Sequence, residues 1–586
     1  MFEDEKKTLE ERIEKILLKS GITMDALVWT WIPFSGHWGI STSLFKTASK
    51  NKKFFPDVGV PERAEKLADL IRRDIDLPPE IEKLETVKGY LNFYFNTKAY
   101  ANRIISLILK KGESYGKEER IGKRIMVEYS QPNTHKAFHV GHLRNMVLGA
   151  SICRILEFAG NEVIAANYIG DIGLHVIKWL WNYMNFHMGE EPPDNAKTRW
   201  MGEIYSEAVR KLEDQPELEQ EVRALFIKWD RRDEVLIELW KKTRKWSLDA
   251  FQEIYNLLDI NFERIYFESE VEESGKELVS QLINRGLAKD ERPEGAVIID
   301  LDQILGTHET YRVAVILRSD GTSLYSTKDI SLAIKKFDEY RLDQSIYVID
   351  VRQSLYLKQI FKILELMGYE WAKNCHHLAY EIVNLPGNVT IASREGTVVL
   401  LEDLLMEAEK RATTIVEEKN PELESDLKIE IAKKVAIGAI KYSLLSRDST
   451  KVITFNWESA MDVNGQAAPY IQYGYVRANS ILKKVESKLP EESELRNELT
   501  GEEIELIEML SRFPVEVKRA ANDLKPLLLA NYVFDLAKSF SNFYNKCHVL
   551  TAQSDVKDFR LRLVASVRQV IANGLFLLGI QVPDVM

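Results

Sequence analysis

Three histidines crowd into the stretch VEYSQPNTHKAFHVGHLRN, from Val127 to Asn145: His135, His139 and His142. The last two, with Gly141 between them, have a spacing suited to chemistry on a phosphate. A β-prone run, Arg124–Tyr129, stops at the polar turn Ser130-Gln131-Pro132-Asn133, and an amphipathic helix running to Phe158 begins at Gly141. A helix start offers N–H groups without intrahelical partners and about half a positive charge. Gly141, lacking a Cβ, lets a base or phosphate come close to the backbone. As neutral donors or as imidazolium, His139 and His142 can neutralise charge developing on a phosphate. Each well-placed donor contributes on the order of 3 kcal/mol to a transition state. Two other uses stay open on these residues alone. One is a buried structural histidine. The other is zinc, although the spacing is not HExxH and no cysteine or acidic partner is adjacent.

The elements that position this site belong to a chain of 586 residues, too long for one hydrophobic core, so about three or four domains are expected. A hydrophobic fraction of 45% with 29% charged residues is that of a soluble globular protein. No apolar run reaches the roughly 18 residues that span a bilayer. Met1–Lys19 is charged and has no apolar signal region. The three scattered cysteines, Cys153, Cys375 and Cys547, form no CxxC pair. A reducing cytoplasm is the expected setting. A formal charge of −11 argues against broad, sequence-independent binding of nucleic acid but leaves room for a local basic surface.

Residues 1–118 read as a separate α/β module. It has a helix over Phe2–Leu18, a β-rich run Met24–Ile32, a turn at Ser35–Gly39, helices over Ser41–Ser49 and Pro61–Ile75, and an alternating strand Tyr90–Phe95. On pattern alone this module is equally well a folding domain without chemistry. Lys110–Arg124, polar, basic and glycine-bearing, reads as a linker. Strand 124–129, helix 142–158 and strand Glu162–Asn167 then make a βαβ unit. Residues 186–295 interrupt the rhythm with long helical segments such as Leu218–Leu258 and read as an insertion. Strands Ala296–Leu301, Tyr311–Leu317 and Ser345–Ile349, a hairpin turn at Arg318–Gly321 and helices Asp329–Tyr340 and Ser354–Met367 are expected to complete an open parallel sheet. Beyond about residue 425 only helical patterns remain: Leu427–Leu445, Ala468–Val485, Glu502–Arg512, Val515–Lys525, Leu529–Tyr544 and Phe559–Leu578.

HVGH, preceded by VEYSQPNTHKAF and followed by LRN, resembles the HIGH-type signature of class I aminoacyl-tRNA synthetases in the form used by arginyl-tRNA synthetases. NYIGDIG (Asn167–Gly173), LRSDGTSLYSTKDIS (Leu317–Ser331) and YVIDVRQSLYLKQIFKILELMGY (Tyr347–Tyr369) follow in the family's order. APYIQYGYVRANSIL (Ala468–Leu482) and LGIQVPDVM (Leu578–Met586) resemble its helical anticodon domain and C-terminus. The resemblance covers about residues 120–586, and more loosely the first 118, which are similar to the family's add-on that touches the outer corner of tRNA. It implies a multidomain α/β protein. A Rossmann-type parallel-sheet catalytic domain (119–440, helical insertion about 186–295) stands between an α+β N-terminal domain (1–118) and an all-α anticodon-binding domain (441–586).

The implied substrate supplies an independent test. A guanidinium is always charged and presents five donors in a planar fork, so its pocket needs a carboxylate and oriented neutral acceptors. Tyr325 and Asp329, four residues apart at a strand end, and Gln353, opening the helix after the next strand, are expected at carboxyl ends of parallel strands, where such sheets bind ligands. The resemblance puts these three on the arginine side chain. It puts Glu128, Ser130 and Asn133 on the amino-acid backbone and ammonium group, with Tyr325 shared. A site that must fill several buried hydrogen bonds rejects a substrate lacking the donors by roughly 10⁴–10⁵. A separate editing domain is therefore not expected, and the insertion reads as structural or tRNA-facing.

The second ATP signature of the class is a KMSKS-like loop. The aligned stretch, Val389 to Gly396, has Thr390 at the first lysine position and Ala392 at the first serine. Ser393 remains, and Arg394, followed by Glu395, holds the later basic position. One or two charge-assisted contacts, each worth about 1.5–3 kcal/mol, are missing there. Lys136, upstream of His139, is the candidate replacement cation. By resemblance, His139, Gly141, His142 and Ser393 hold ATP. The arginine carboxylate attacks its α-phosphate, releases pyrophosphate, and the arginyl group passes to the terminal ribose of tRNA(Arg). Catalysis is positioning and charge stabilisation, without a covalent nucleophile. Mg²⁺ is expected to accompany ATP, with no dedicated metal cluster and no tightly bound cofactor. The family usually needs tRNA before it activates arginine, and a monomer is the expected state.

In the helical domain, Tyr470, Tyr473 and Tyr544 are candidates for stacking on unpaired anticodon-loop bases, at about 1–3 kcal/mol per base. Arg477 is a candidate phosphate contact, and Met586 matches the family's C-terminal tail by resemblance only. Packing between helices is the ordinary alternative for each tyrosine. Two other functions compete: a non-catalytic tRNA-binding or regulatory paralogue, which the altered 389–396 loop suggests, and a nucleotidyltransferase without tRNA. His139, Gly141, His142, Tyr325, Asp329 and Gln353 count against the first, and the helical 441–586 region counts against the second.

Overall fold

Strand Arg124–Glu128 is the middle of a five-stranded sheet, and every neighbour pairs with it or with its partners in parallel. The spatial order is Cys375–Tyr380, Gln344–Asp350, Arg124–Glu128, Glu162–Ile169, Arg264–Phe267. Strand order therefore reverses between Arg124–Glu128 and Gln344–Asp350, and the carboxyl ends of those two strands diverge into a crevice where open α/β sheets take ligands. The computed structural model describes residues 2–586 except 33–35, 195, 307, 322–323, 386–388, 391–399, 486–488 and 491–497. Among the described residues no helix is long and apolar enough to cross a membrane.

Two parts of the sheet differ from expectation. The strands Val297–Asp300 and Val313–Leu317 are not in it; with Lys289–Asp290 they form a small antiparallel sheet of their own. Their places are taken by Arg264–Phe267, inside the stretch read as an insertion, and by Cys375–Tyr380. Both are short, and Arg264–Phe267 is wedged between helices Glu234–Leu257 and Glu268–Asn284, whose 3.6-residue pattern overrides its own. The Arg318–Gly321 turn leads into helix Tyr325–Tyr340 rather than back along a hairpin. The expected Leu218–Leu258 helix is two, Glu219–Asp230 and Glu234–Leu257, the second capped by Asp233 through the Leu236 N–H at 3.0 Å.

In the N-terminal part, strands Trp29–Trp31, Gly39–Ser43, Tyr90–Phe95 and Ile81–Val87 form an antiparallel sheet in that order. Ser41 and Thr42, expected in a helix, are strand residues paired with Asn92 and Leu91, and the helix is only Phe45–Lys50. Sheet pairing here outweighs local preference.

Five long helices carry the C-terminal part: Ser425–Leu445, Ala468–Lys483, Gly501–Asp523, Pro526–Lys546 and Ser554–Leu577. The third was expected as two helices broken near Pro514, yet it runs through. A proline inside a helix removes the N–H that would bond the carbonyl four residues back, here that of Leu510. The Tyr115 hydroxyl, buried in the stretch read as a linker, donates to that Leu510 carbonyl at 2.9 Å. The segment after helix Thr97–Lys111 is therefore docked, and it repairs the proline defect. Tyr115→Phe should destabilise the protein by about 1–3 kcal/mol, the penalty of a buried unpaired acceptor. The loss should shrink in a Pro514→Ala background, where a backbone N–H is restored. Thermal unfolding of the four variants measures this; equal losses in both backgrounds would count against it.

Candidate active site

Helix Val140–Phe158 starts beneath the crevice, and His139 is its N-cap. His139 Nδ1 accepts from the Gly141 N–H at 3.1 Å, and His142 Nδ1 accepts from the His139 N–H at 3.2 Å. Two N–H groups expected to be unpaired are thus taken by imidazoles, in the reciprocal arrangement of a capping box. With Nδ1 an acceptor, the neutral ring carries its proton on Nε2. Burial, and then the charges of Lys136 and Arg352, bring His139 down to about 4. Burial and the neighbouring His139 hold His142 well below the usual histidine range. Both rings are neutral donors at pH 7, with centroids 3.9 Å apart. His135 has a different role. It is fully buried, its ring nitrogens contact Thr134 Oγ1 at 2.9 Å and Thr243 Oγ1 at 2.8 Å, and its N–H donates to Ser247 Oγ at 3.0 Å. It is structural, and among the described residues no three metal-ligating side chains converge.

The crevice is a cleft of about 400 Å³ whose lining includes His139, Gly141, His142, Ser130, Asp350 and Tyr380. Its floor is a strained turn in which Ser130 and Gln131 take φ of 77° and 46°, left-handed values unusual for side-chain-bearing residues. Asparagine amides hold it. Asn145 Oδ1 accepts from the Ser130 N–H at 2.5 Å, and Asn167 Oδ1 accepts from the Gln131 N–H at 3.1 Å. Asn145 Nδ2 also reaches Gln131 Oε1 at 3.0 Å and the Val348 carbonyl at 2.7 Å. At the cleft's far wall Asp350 takes the Arg352 N–H and guanidinium at 2.8–2.9 Å.

Behind the turn lies a carboxylate cluster. Glu128 pairs with Lys336, both buried, and Glu268 pairs with Lys328 at 3.0 Å. Asp329 takes the Tyr356 hydroxyl at 2.5 Å and, among the described residues, no salt bridge. Burial pushes the Asp329 carboxyl up to about 7; Glu128 and Glu268 push the same way, against the hydrogen bond from Tyr356 and the Lys336 charge. Asn133 sits by Gly170, whose missing Cβ leaves room for the asparagine amide beside Glu268. Ser130 Oγ is engaged by the Tyr255 hydroxyl at 2.8 Å. Tyr325, 59% exposed, and Gln353, also exposed, stand at the starts of helices Tyr325–Tyr340 and Ser354–Leu366. Tyr325 and Asp329 thus follow a strand of the small antiparallel sheet, not the parallel one as expected. Lys328, Lys336, Glu268 and Tyr356 were missed. Lys336 lies two turns beyond Asp329 on one helix, a buried-face lysine that periodicity does expose.

A family profile described as "tRNA synthetases class I (R), catalytic domain" matches residues 104–457, and one described as "DALR anticodon binding domain" matches 471–586. The chain belongs to the arginyl-tRNA synthetase family. It is 37% identical to an arginine–tRNA ligase of Bdellovibrio bacteriovorus over 85% of this chain and 86% of that protein. It is 37% identical to one of Clostridium botulinum over 89% and 90%. The solved arginyl-tRNA synthetase of Thermus thermophilus superposes with a TM-score of 0.82 at 29% identity, over 99% of this chain and all of that one.

In the second signature loop of this class, Ser393 and Arg394 lie outside the described residues, while the backbone of Val389–Thr390 pairs with Val383–Leu385. Leu400, beyond the loop, bridges to His139. Lys136 is half-buried with its Nζ over the Tyr205 ring at 4.9 Å; burial lowers its pKa, and its charge is felt at both His139 and His142. In the helical part, Tyr473, Arg477, Tyr544 and Met586 line one cavity of about 580 Å³. The Arg477 guanidinium lies 4.7 Å and 4.6 Å from the two tyrosine rings. Tyr470 is not among them; it packs on Phe534 at 5.4 Å and donates to Ser541 Oγ at 3.3 Å.

Because the folded protein holds His139 neutral, it binds fewer protons there than the unfolded chain. Its stability should fall as pH drops from about 6.5, the unfolded value, through about 4. Urea unfolding across that window should show a shallower decline for His139→Asn, which keeps a capping acceptor but cannot titrate.

Proposed function

We propose that this chain activates L-arginine with ATP and transfers it to tRNA, each substrate held by the residues named above. The observation that carries this reading is the charge balance of the cluster: three carboxylates, Glu128, Glu268 and Asp329, against two paired lysines. The deficit falls on Asp329, beside Tyr325 and Tyr356, and a guanidinium is the cation that supplies both charge and planar donors. Glu128 and Asn133, by the turn, suit the amino-acid end. Ser130 contributes through the turn it shapes, its hydroxyl being engaged by Tyr255. Arginine would then lie behind the strained turn and ATP in front of it, against His139, Gly141 and His142. The Nε2–H groups of the two histidines and Lys136 stabilise charge on the phosphates, with Ser393 and Arg394 of the second loop assigned by alignment. Mg²⁺ enters on this reading with ATP, as the substrate complex.

We divide the chain at 1–118, 119–440 and 441–586. Support comes from the antiparallel sheet confined to residues 29–95 and from the four long helices beyond 441, while helix Ser425–Leu445 runs across the last boundary. The Ile453–Thr454 strand pairs back onto Val383–Asn384, so the last boundary is a stitched one. The Tyr473–Arg477–Tyr544 cavity, with Met586 at its edge, fits unpaired bases and a phosphate; tRNA is the partner and a monomer the state proposed.

Pyrophosphate exchange into ATP should require arginine and tRNA; no exchange with any amino acid, with or without tRNA, would sink the reading. Lys136→Ala should lower the exchange rate about tenfold or more, in keeping with the loss of one charge-assisted contact. Unchanged activation, beside His139 variants that lose it, would remove Lys136 from the mechanism. Asp329→Asn should raise the arginine KM about tenfold to a hundredfold. Arginine affinity of the unaltered protein should weaken as pH falls below about 7, where Asp329 takes up a proton among Glu128, Glu268, Lys336, Tyr356 and Tyr325. Calorimetric titration with tRNA present, from pH 5.5 to 8.5 (about the range that brackets that value), should find the Asn variant flat.

A further inference from the structure

Arg144 lies two residues beyond His142 on the same helix, is only 2% exposed, and forms no ion pair among the described residues. Its guanidinium instead donates to five backbone carbonyls. Nη1 bonds those of Glu381 and Ile382, the latter at 3.2 Å, and Nη2 bonds those of Asp448, Ser449 and Lys451 at 3.3, 3.1 and 2.9 Å. A charge left among carbonyls is costly to bury, and burial brings the group down to about 10. Such an arrangement persists only where surrounding structure fixes it.

The two carbonyl sets belong to different parts of the molecule. Glu381, Ile382 and Val383 are a wall of the nucleotide cleft and lead to the Val383–Leu385 strand, from which the second signature loop departs. Residues 448–451 follow helix Ser425–Leu445, where the chain passes to the helical domain. The sets are also sewn together directly: Glu381 N–H to the Ser449 carbonyl at 2.9 Å, Ile453 N–H to Ile382 at 3.2 Å, Phe455 N–H to Asn384 at 2.8 Å. The 448 turn is tied onward by its own side chain. Asp448 accepts from Thr450 Oγ1 at 2.7 Å and from Lys525 Nζ at 2.9 Å, and Lys525 sits between helices Gly501–Asp523 and Pro526–Lys546. The second of these helices carries Tyr544.

We propose that Arg144 is a positioning residue that clamps the Glu381–Val383 wall of the nucleotide cleft to the 448–451 turn, so that the Asp448–Lys525 junction of the helical domain bears on how ATP is held. The assignment of ATP to the cleft is that of the preceding reading; the clamp is a separate claim. A planar fork whose two terminal nitrogens point apart reaches all five carbonyls, which the three donors of a single lysine nitrogen cannot do.

Full-length Arg144→Lys and Lys525→Ala test it, the latter changing a half-exposed side chain that is not on the cleft lining. ATP affinity is read by calorimetry, backbone protection by hydrogen exchange, and tRNA affinity separately. The expected result for Arg144→Lys is ATP binding weakened about tenfold or more, with faster exchange of amides 381–384 and 449–455. Amides 125–128 and tRNA affinity should change less than about twofold. Lys525→Ala should weaken ATP binding in the same direction by about two- to fivefold, and carries the test if Arg144→Lys does not fold. ATP affinity unaltered in the folded variants, or exchange rising equally in strand 125–128, would overturn the clamp and leave Arg144 a general structural residue. Absence of ATP binding by the unaltered protein would instead refute the nucleotide reading, and local exchange at 381–384 would still decide the clamp.

Discussion

One side-chain amide holds three strand ends in register. Asn145 accepts the Ser130 N–H after the first strand and donates to the Val348 carbonyl of the fourth and to the Tyr380 hydroxyl of the fifth, at 2.5, 2.7 and 3.3 Å. The turn it anchors is one a chain avoids by itself: two consecutive left-handed residues without glycine, each costing on the order of 1–3 kcal/mol. The strain is tolerated because Asn145, Asn167 and Tyr255 satisfy the turn from three sides. In return the chain changes direction within two residues, which separates the carboxylate cluster behind the turn from the cleft in front.

The electrostatics of the two sides are opposed for the same reason, low dielectric. Behind the turn, burial raises Asp329, which forms no salt bridge among the described residues. In front, burial lowers His139 and His142, so these two rings stand at the cleft as neutral donors rather than as fixed charges. A neutral donor that strengthens its bond as charge develops discriminates in favour of the transition state, where a permanent imidazolium would also bind the ground state tightly. Fixed charge on the cleft lining comes from Arg144, Asp350, Arg352 and Glu381, and the half-buried Lys136 acts on both histidines. The buried pairs Glu128–Lys336 and Glu268–Lys328 add little net stability by themselves, but they fix where the unpaired carboxylate lies.

Much of this was legible from residues. The helix start at His139, the strand before it and the helical pattern beyond about residue 425 all follow from pattern, composition and one family resemblance. What was not legible depends on pairing at a distance. The parallel sheet's two outer strands could not be chosen from sequence, because Arg264–Phe267 is four residues within a helical stretch and Val297–Asp300 looks equally strand-like. Pro514 argued locally for two helices, and only the hydroxyl of Tyr115, roughly four hundred residues away, makes one continuous helix tolerable. Tyr470 shares one helix with Tyr473 and Arg477, yet it packs on Phe534 while they reach the cavity. Cavity-lining and helix-packed tyrosines on one helix differ by which neighbour arrives, which no local pattern encodes.

The histidine cap itself shows why the signature uses imidazoles. A serine or aspartate at the N-cap would satisfy the first N–H groups and end there, leaving an oxygen acceptor, for aspartate a negative one, toward a phosphate. An imidazole accepts the backbone N–H at Nδ1 and returns a donor at Nε2, on the far side of the ring. His139 does this for Gly141, and His142 for His139, so the donors of the helix start are carried outward rather than consumed. Gly141 is part of the same arrangement, since a Cβ there would meet the His139 ring at 2.9 Å. The glycine expected to leave room for a substrate leaves room, in the folded chain, for the His139 ring.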